Sequence, residues 1–460
     1  MININTRIPT FTALFGEQSV ENKNLILAPY CIDVPCNDGT LLYNALSREL
    51  VLLSNNEAEL LQDINSASGE VSDYLKKGWF FIPDDKSGKK YCDQMLDTAR
   101  LIRIKEDDGR YKSFTIMTTM ECNARCFYCF EKGRPQPRMS AKTAADVANF
   151  ILSHSKPEKQ IKITWFGGEP LYNADAINII SGALKSVGRD FVALMVTNGY
   201  LINDIPVANI KGFWNVKKFQ ITLDGTENIY NRSKNYIYTD CSSPFKRVIS
   251  NIKLLLDNNI DVAIRLNLGL HNAADLYKLV DFLADKFGSF KNFSVYAHRL
   301  FDYDDFGNQL HKNDEIVDTI KVFNEFNEYL IAKGLNIGKV LETNYKINHC
   351  MADSKNAVVI TPDGRLTKCE HFSDREIIGD IYSDNLDVKL INDWKELQPE
   401  TDICNNCPAY IDCLRLKKCP NVSPNCDIHQ KAEEIQQLKL KILNTYTKWK
   451  EKSDNKKTGD

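Results

Sequence analysis

Three cysteines, Cys122, Cys126 and Cys129, lie close together in the segment ECNARCFYCFEKG. The segment directly follows the apolar run FTIMTTM, so a loop after a strand would present all three thiols to one metal centre. A four-iron cluster ordinarily takes four cysteines, and three therefore leave one iron open to bind another molecule. Zinc is the alternative, although zinc sites usually pair two C-x2-4-C halves and this sequence has no second pair or histidine nearby.

The other cysteines favour metal ligation over a disulfide framework. Of the 14 cysteines, ten fall into two dense groups, at 122–129 and 350–426. Clustered thiols of this kind are typical of metal ligands in a reducing compartment. The remaining four are scattered, and we expect them to behave as small apolar residues without a chemical role. They are Cys31, Cys36, Cys92 and Cys241.

Composition excludes several classes of partner. The 460 residues include 58 basic and 61 acidic side chains, for a formal charge of −3. This balance predicts no general attraction to nucleic acid or to a membrane surface. The first residues lack the basic start, apolar stretch and cleavage site of a secretory signal, and no apolar run reaches membrane-spanning length. We expect a cytoplasmic protein of several domains.

The elements that must position these cysteines follow a regular order. Residues 1–108 predict a small α+β unit, and residues 109–305 alternate six β-rich runs with amphipathic helices. Six βα units predict a parallel sheet, either open and doubly wound or a partial barrel, with the chemistry at the carboxyl ends of the strands. A linking helix is expected within 306–345. A cysteine-rich module at 346–430 begins with a hairpin, VVITPDGRLTKC, and residues 431–460 predict a terminal helix and tail.

The first cysteine group resembles the radical S-adenosylmethionine (radical SAM) superfamily. In that family the C-x3-C-x2-C loop holds a [4Fe–4S] cluster whose open iron binds S-adenosylmethionine (SAM). The resemblance implies a partial (β/α)6 TIM barrel and a 5′-deoxyadenosyl radical that abstracts hydrogen from an unactivated carbon. Tyr128 is similar to the family's aromatic residue beside the adenine.

Motifs at later strand ends extend the resemblance to the SAM site. Gly167-Gly168-Glu169-Pro170 resembles the family's GGEP motif, whose backbone and glutamate meet the methionine amino group, with glycine permitting close approach. Asn198 and Thr222 resemble polar residues at the third and fourth strand ends, Thr222 toward the ribose. Arg232 or Arg265 would pair with the methionine carboxylate, the alternative for each being a surface ion pair.

The second cysteine group resembles the SPASM domain, an extension of radical SAM enzymes that carries two auxiliary [4Fe–4S] clusters. Carried over by position, the near auxiliary cluster takes Cys350, Cys369 and Cys419. The far cluster takes Cys404, Cys407, Cys413 and Cys426. The near cluster thus lacks one cysteine, and either His349 or another residue fills the place or the iron is open to substrate. The five-residue gap before Cys419 departs from the usual three.

These resemblances imply a peptide substrate. We expect a maturase, similar to the sactipeptide and ranthipeptide enzymes, that installs a thioether or carbon–carbon crosslink in a ribosomally made precursor, with flavodoxin or ferredoxin as electron donor. The N-terminal unit would bind the leader peptide by strand addition, or else cap the barrel. Glu370 is the candidate base, unless it only orients the hairpin. The alternatives are a formylglycine-forming sulfatase maturase and a non-catalytic iron–sulfur protein.

Overall fold

The structure is a computed structural model of the chain. It describes residues 1–19, 24–106, 109–237, 243–300, 302–303, 309–310, 313–335, 340–343, 345, 350–372, 374–413, 416–419, 426 and 428–457. For residues 102–106, 302–303, 309–310, 313–320, 428–430 and 455–457 the backbone alone is described. His349 and Cys241, both considered above, lie outside these ranges. Within the described part of the chain, every helix is too short or too polar to cross a membrane.

The N-terminal unit is an antiparallel sheet with helices against it. Its strands are β1 (Ile2–Asn5), β2 (Leu25–Leu27), β3 (Cys31–Cys36), β4 (Gly39–Asn44), β5 (Glu49–Leu53) and β6 (Phe81–Pro83). Its helices are α1 (Pro9–Phe15), α2 (Asn55–Ala58), α3 (Glu70–Lys77) and α4 (Gly88–Glu106). Four strands form a sheet in the order β1-β5-β4-β3, and β2 pairs with β6. The outer edges of β1 and β3 pair with no other described strand.

Six parallel strands form the central part of the chain, each side by side with the next in sequence. They are β7 (Ser113–Thr119), β8 (Ile161–Gly167), β9 (Phe191–Thr197), β10 (Val216–Leu223), β11 (Asp261–Leu268) and β12 (Phe293–Arg299). The intervening helices are α5 (Ala141–His154), α6 (Ala174–Ser186), α7 (Glu227–Lys234), α8 (Pro244–Asp257) and α9 (Ala273–Phe287). Parallel neighbours joined by helices are the expected partial barrel.

The strands alternate between two faces. In β9, Ala193 and Met195 are buried, whereas Leu194 and Val196, which alternate with them, are partly exposed and line an interior cavity. Period-two alternation directs successive side chains to opposite faces, so the buried set packs in the core cluster that also holds the helices. The partly exposed set is left facing the inside of the barrel.

The C-terminal part continues the barrel sheet. It contains β13 (Asp302–Tyr303), β14 (Gln309–Leu310), α10 (Asn313–Ala332), β15 (Ala357–Ile360), β16 (Arg365–Thr367), β17 (Gly379–Asp380), α11 (Val388–Asp393) and α12 (Ile428–Lys457). The predicted hairpin is β15–β16. Its first strand pairs in parallel with β7, which extends the sheet to nine strands. The cysteine-rich module therefore shares a backbone ladder with the barrel.

The C-terminal part also packs against the N-terminal unit. Tyr410 and Ile411, together with Leu438 and Ile442 of α12, belong to the N-terminal unit's core cluster. The buried Arg48 guanidinium donates to both carboxylate oxygens of Asp412, at 2.5 and 2.6 Å. One face of α12 is thus buried, which differs from the solvated helix that its many lysines suggest, because long polar side chains occupy only its outer face.

Candidate functional site

The loop after β7 brings the first three cysteines to one place. Cys122, Cys126 and Cys129 all line the interior cavity at the carboxyl end of the barrel strands. The Cys129 amide donates to the Cys126 carbonyl at 3.2 Å, and the Ala124 amide approaches the Cys122 sulfur at 3.4 Å. The described side chains hold no ready-made group of three or more metal-ligating residues. The three thiols nevertheless share one opening, as a common metal centre requires.

The thiols lie in surroundings that disfavour their charged form. Burial raises the pKa of Cys122 and of Cys129 to about 12, and the negative charges of neighbouring residues, Cys126 among them, add to it. Burial likewise raises the pKa of Cys126. A thiolate is the form that binds metal, so a cationic cluster would supply the missing positive charge. The donor set therefore fits an iron–sulfur cluster.

The cavity next to these thiols has a volume of about 480 Å³. Side chains from all six parallel strands line it, including Thr115, Phe166, Val196, Gln220, Asn267 and Arg299. A volume of this order accommodates a nucleoside-sized molecule. The mixture of apolar walls and a few polar groups suits a ligand that combines a base, a sugar and a charged end.

The GGEP segment performs two separate tasks. Gly167 and Gly168 line the cavity, whereas Glu169 and Pro170 do not. A Cβ on Gly167 would lie 2.2 Å from the Thr119 carbonyl oxygen, and one on Gly168 would lie 2.4 Å from that of Glu121. The glycines are thus required by the close approach of the cysteine loop itself. That reason differs from the expected approach of a ligand to the backbone.

Glu169 is a buried anchor for the neighbouring strand end. Its carboxylate accepts hydrogen bonds from the Thr197 hydroxyl at 2.8 and 2.9 Å and from the Asn198 amide at 2.8 Å. Burial raises the pKa of Glu169 to about 7, although these donors oppose the shift. The carboxylate therefore holds the end of β8 to the end of β9.

Of the other residues predicted to contact SAM, four line the cavity and one does not. Tyr128, Asn198, Thr222 and Arg265 all line the cavity. Asn198 donates to the Asn123 side chain at 2.7 Å, beside the Cys122 sulfur, so it also braces the cysteine loop. Arg232 is exposed in the last turn of α7 and lies outside the cavity lining. Of the two arginines, Arg265 alone can meet a ligand in the cavity.

A buried charged network beside Tyr128 has no counterpart among the predicted contacts. Lys234 lines the cavity and donates to the Tyr128 hydroxyl at 2.8 Å and to Asp224 at 3.1 Å. Tyr128 donates to the same carboxylate at 2.6 Å, and Asn267 donates to its other oxygen at 3.2 Å. Burial alone would lower the pKa of Lys234, but Asp224 and Tyr128 hold it well above its usual value. The network fixes the position of the tyrosine ring.

The near set of later cysteines is also gathered in space. Burial raises the pKa of Cys369, and the charges of Glu370, Cys350 and Cys419 raise it further, so the three thiols lie within electrostatic reach of each other. Cys369 lies two residues after Thr367, the last residue of the hairpin strand β16. Of the far set, Cys404 and Cys407 share one short turn, and Cys404 adds to the burial-driven rise in the pKa of Cys407.

Glu370 faces the same cavity as the first cysteine group. Its Oε2 atom is buried and has no hydrogen-bond partner among the described residues, and burial raises the pKa of this carboxyl. The first cysteine loop and the residues after it contact the two residues that follow Glu370. Phe130 packs on His371 with ring centroids 4.1 Å apart, and Arg134 donates to the Phe372 carbonyl at 2.7 Å. Met351, Glu370 and His371, which are neighbours of Cys350 and Cys369 in sequence, thus line the same cavity as the first cysteine group.

Known proteins agree with this geometry. Residues 116–283 match the family model of the Radical SAM superfamily. The radical SAM cyclopropyl synthase TigE of Paramaledivibacter caminithermalis is 23% identical over 279 residues, which are 53% of this chain and 57% of that protein. The match thus spans little more than half the length of this curated relative.

Two solved structures share the fold at low sequence identity. Tagged anSMEcpe with bound AdoMet is 15% identical, with a TM-score of 0.55 over 74% of this chain and 95% of that one. Streptococcus suis SuiB bound to precursor peptide SuiA is 14% identical, with a TM-score of 0.51 over 85% and 94%. The predicted radical SAM domain, matched at residues 116–283, is confirmed, as are the α/β fold and the prediction of an enzyme.

Proposed function

Because residues 116–283 form a radical SAM domain, we propose that this chain is a peptide maturase that installs a thioether or carbon–carbon crosslink in a ribosomally made precursor peptide. The observation that carries the proposal is the single cavity shared by Cys122, Cys126 and Cys129 on one side and by Glu370 on the other. Such a cavity lets one substrate carbon face both a radical source and a base.

The cofactors would be held by residues already described. A radical SAM domain implies SAM and one [4Fe–4S] cluster, which when bound supply a 5′-deoxyadenosyl radical for hydrogen abstraction. Cys122, Cys126 and Cys129 would ligate the cluster. Tyr128, Thr222 and Arg265 would orient the SAM adenine, ribose and carboxylate, and Gly167 and Gly168 leave room for the methionine end.

Glu370 is proposed to accept a proton from the substrate at its Oε2 atom. This atom accepts no hydrogen bond from any residue that the structure describes. Burial raises the pKa of this carboxyl and makes the carboxylate a stronger base than an exposed one. The packing of Phe130 on His371 holds the segment against the cysteine loop and limits the entry of water.

A peptide substrate is further supported by the relatives. A structural neighbour that spans most of this chain, SuiB, is bound to a precursor peptide. In this chain, the outer edge of β1, which pairs with none of the described strands, offers a place where a leader peptide would add a strand. The N-terminal unit is therefore proposed to bind the leader while the core peptide enters the barrel.

The decisive experiment is anaerobic incubation of the reconstituted enzyme with SAM, a reductant and the short precursor encoded beside its gene. Crosslinking predicts 5′-deoxyadenosine and a peptide that has lost two hydrogens, with fragment ions missing between the joined residues. A peptide that instead gains an aldehyde, trapped by hydroxylamine, would assign the chain to formylglycine formation. Absence of 5′-deoxyadenosine would leave the non-catalytic iron–sulfur alternative.

Two auxiliary clusters are proposed for the later cysteines. We expect Cys419→Ala to lower the iron content by about four atoms per chain, because it removes one of three thiols from the near site. Iron and sulfide quantitation after anaerobic reconstitution, with electron paramagnetic resonance, measures the loss. Cys36→Ala, in the N-terminal unit, is the matched control and should retain all its iron. An unchanged iron content in Cys419→Ala would remove this cysteine from the ligand set.

A further inference from the structure

A buried tryptophan packs beside two thiols of the near set, which is Cys350, Cys369 and Cys419. Trp394 directly follows α11 and is 1% exposed. Together with Ala352 and Cys369 it forms a small buried cluster, and Cys350 packs against that cluster. The indole ring therefore lies next to thiols that come from two different segments of the chain.

The segment that carries the third thiol adjoins the same ring. The Lys417 amide donates to the Glu396 carbonyl at 2.9 Å, which joins this segment to the turn after α11. The Nζ atom of Lys418, the residue directly before Cys419, lies 5.9 Å from the centre of the Trp394 ring. Trp394 is thus next to all three segments that supply the near set.

The protein itself holds two of these segments together. Lys368 is buried, and its ammonium donates to the carbonyls of Ser354 and Ala357 at 2.5 and 2.6 Å. Ser354 belongs to the loop after Cys350, and Lys368 directly precedes Cys369. The fold therefore sets the position of both thiols relative to Trp394 through contacts that involve no metal.

The indole nitrogen of Trp394 is a buried donor that lacks a partner. Its Nε1 atom is shielded from solvent and donates to no acceptor in the described part of the chain. An indole N–H can only donate, and a buried donor without an acceptor costs free energy. Sulfur already serves as an acceptor in this site, because the Cys369 sulfur accepts from the His371 amide at 3.4 Å.

The barrel offers a comparison that lacks sulfur. The Nε1 atom of Trp165 on β8 is also buried and has no partner among the residues that the structure describes. Trp165 packs in the barrel core, whose described members include no cysteine. The missing partner alone thus does not set Trp394 apart, whereas its packing beside the thiols of one proposed metal site does.

We propose that the Trp394 indole N–H donates a hydrogen bond to a sulfur atom of the near auxiliary cluster and thereby raises the reduction potential of that cluster. This inference rests on the proposed function, because the near cluster is itself a proposal there. Hydrogen bonds to sulfur raise the potential because they stabilise the reduced form, which carries one more negative charge. Trp394 lies outside the cavity lining, so it would act on the cluster without touching the substrate.

The first test removes the donor and keeps an aromatic ring. Redox titration of reconstituted full-length Trp394→Phe follows the electron paramagnetic resonance signal that Cys419→Ala removes. At the wild-type midpoint potential, we expect the ratio of reduced to oxidised near cluster to be about tenfold lower, because a hydrogen bond to a charged group is lost. The iron content should equal that of the wild type, which separates this effect from loss of the cluster.

The second test needs no substitution. The wild-type chain is produced with tryptophan labelled with nitrogen-15 in the indole ring, and electron–nuclear double resonance is recorded on the reduced near cluster. We expect a nitrogen-15 coupling and an exchangeable-proton coupling, both of which Trp394→Phe should lack. Trp165→Phe is the matched control, because it removes an equally buried indole N–H, and it should leave the couplings and the potential unchanged.

The outcomes distinguish this inference from the proposed function. An unchanged potential in Trp394→Phe with full iron content, or the absence of nitrogen-15 coupling in the wild type, would overturn the hydrogen bond alone. If Trp394→Phe does not hold the near cluster, the wild-type coupling decides. A wild-type chain from which Cys419→Ala removes no iron and no signal would overturn the proposed near cluster, and the hydrogen bond with it.

Discussion

Replacing Cys126 by alanine is expected to reduce 5′-deoxyadenosine formation to the background without SAM. Cys126 is the middle thiol of the three that open onto the cavity, and two thiols cannot hold a four-iron cluster with a defined open iron. The same loss is expected for Cys122→Ala and Cys129→Ala. The assay is chromatographic quantitation of 5′-deoxyadenosine after anaerobic incubation with SAM and dithionite.

The iron content of each variant shows whether the loss of 5′-deoxyadenosine formation comes from the first cluster alone. Each variant should lose about four iron atoms and keep the rest, because the two auxiliary clusters proposed for the later cysteines have their own ligands. Cys92→Ala is the matched control, since Cys92 is buried in the N-terminal unit away from the cavity. Wild-type cleavage of SAM by Cys126→Ala would show that this thiol is not a ligand.

Replacing Lys234 by methionine is expected to lower the free energy of unfolding by about 3–5 kcal/mol, as for one partner removed from a buried ion pair. The side chains of Lys234 and Asp224 are 4% and 2% exposed. The change therefore leaves the buried Asp224 carboxylate without its cation and removes the hydrogen bond that Lys234 donates to the Tyr128 hydroxyl. Urea unfolding of the iron-free chain measures the stability, and equilibrium dialysis of the reconstituted enzyme should show weaker SAM binding.

A double-mutant cycle identifies the cause. Lys234→Met combined with Asp224→Asn should recover much of the lost stability, because no unpaired charge remains. Lys246→Met is the matched control, since this lysine is 72% exposed and its ion pair with Glu227 is screened by solvent. If the double variant lost the sum of the two single losses in unfolding free energy, the Lys234–Asp224 ion pair would not be the cause of the destabilisation.

The sequence predicts the strands and helices around the site more accurately than it predicts which side chains line the cavity. The six β-rich runs become β7–β12, because strict two-residue alternation and helical spacing are local patterns. The contribution of α7 is different, because the sequence singled out Arg232, whereas Lys234 two residues later lines the cavity. Residues two apart on a helix point about 200° apart, so one must face outward, and only the packing of α7 decides which.

The functions of other residues depend on contacts distant in sequence. The resemblance to the GGEP motif implies that Glu169 meets the ligand, and the structure adds that its carboxylate accepts hydrogen bonds from Thr197 and Asn198 at the end of the next strand. The pairing of β15 with β7 joins residues more than two hundred positions apart. No local pattern encodes such a partnership, because many strands of similar composition are available to pair.

That pairing would set the distance between the cluster proposed for Cys122, Cys126 and Cys129 and the cluster proposed for the near set of later cysteines. β7 leads into the first cysteine loop and β16 leads into Cys369, and one hydrogen-bonded ladder links the two strands through β15. At the other end of the sheet, β12 pairs only with β11 among the described strands. A movement at the β12 edge would therefore leave the separation between the two proposed clusters unchanged, because the ladder that joins them lies at the opposite edge of the six parallel strands.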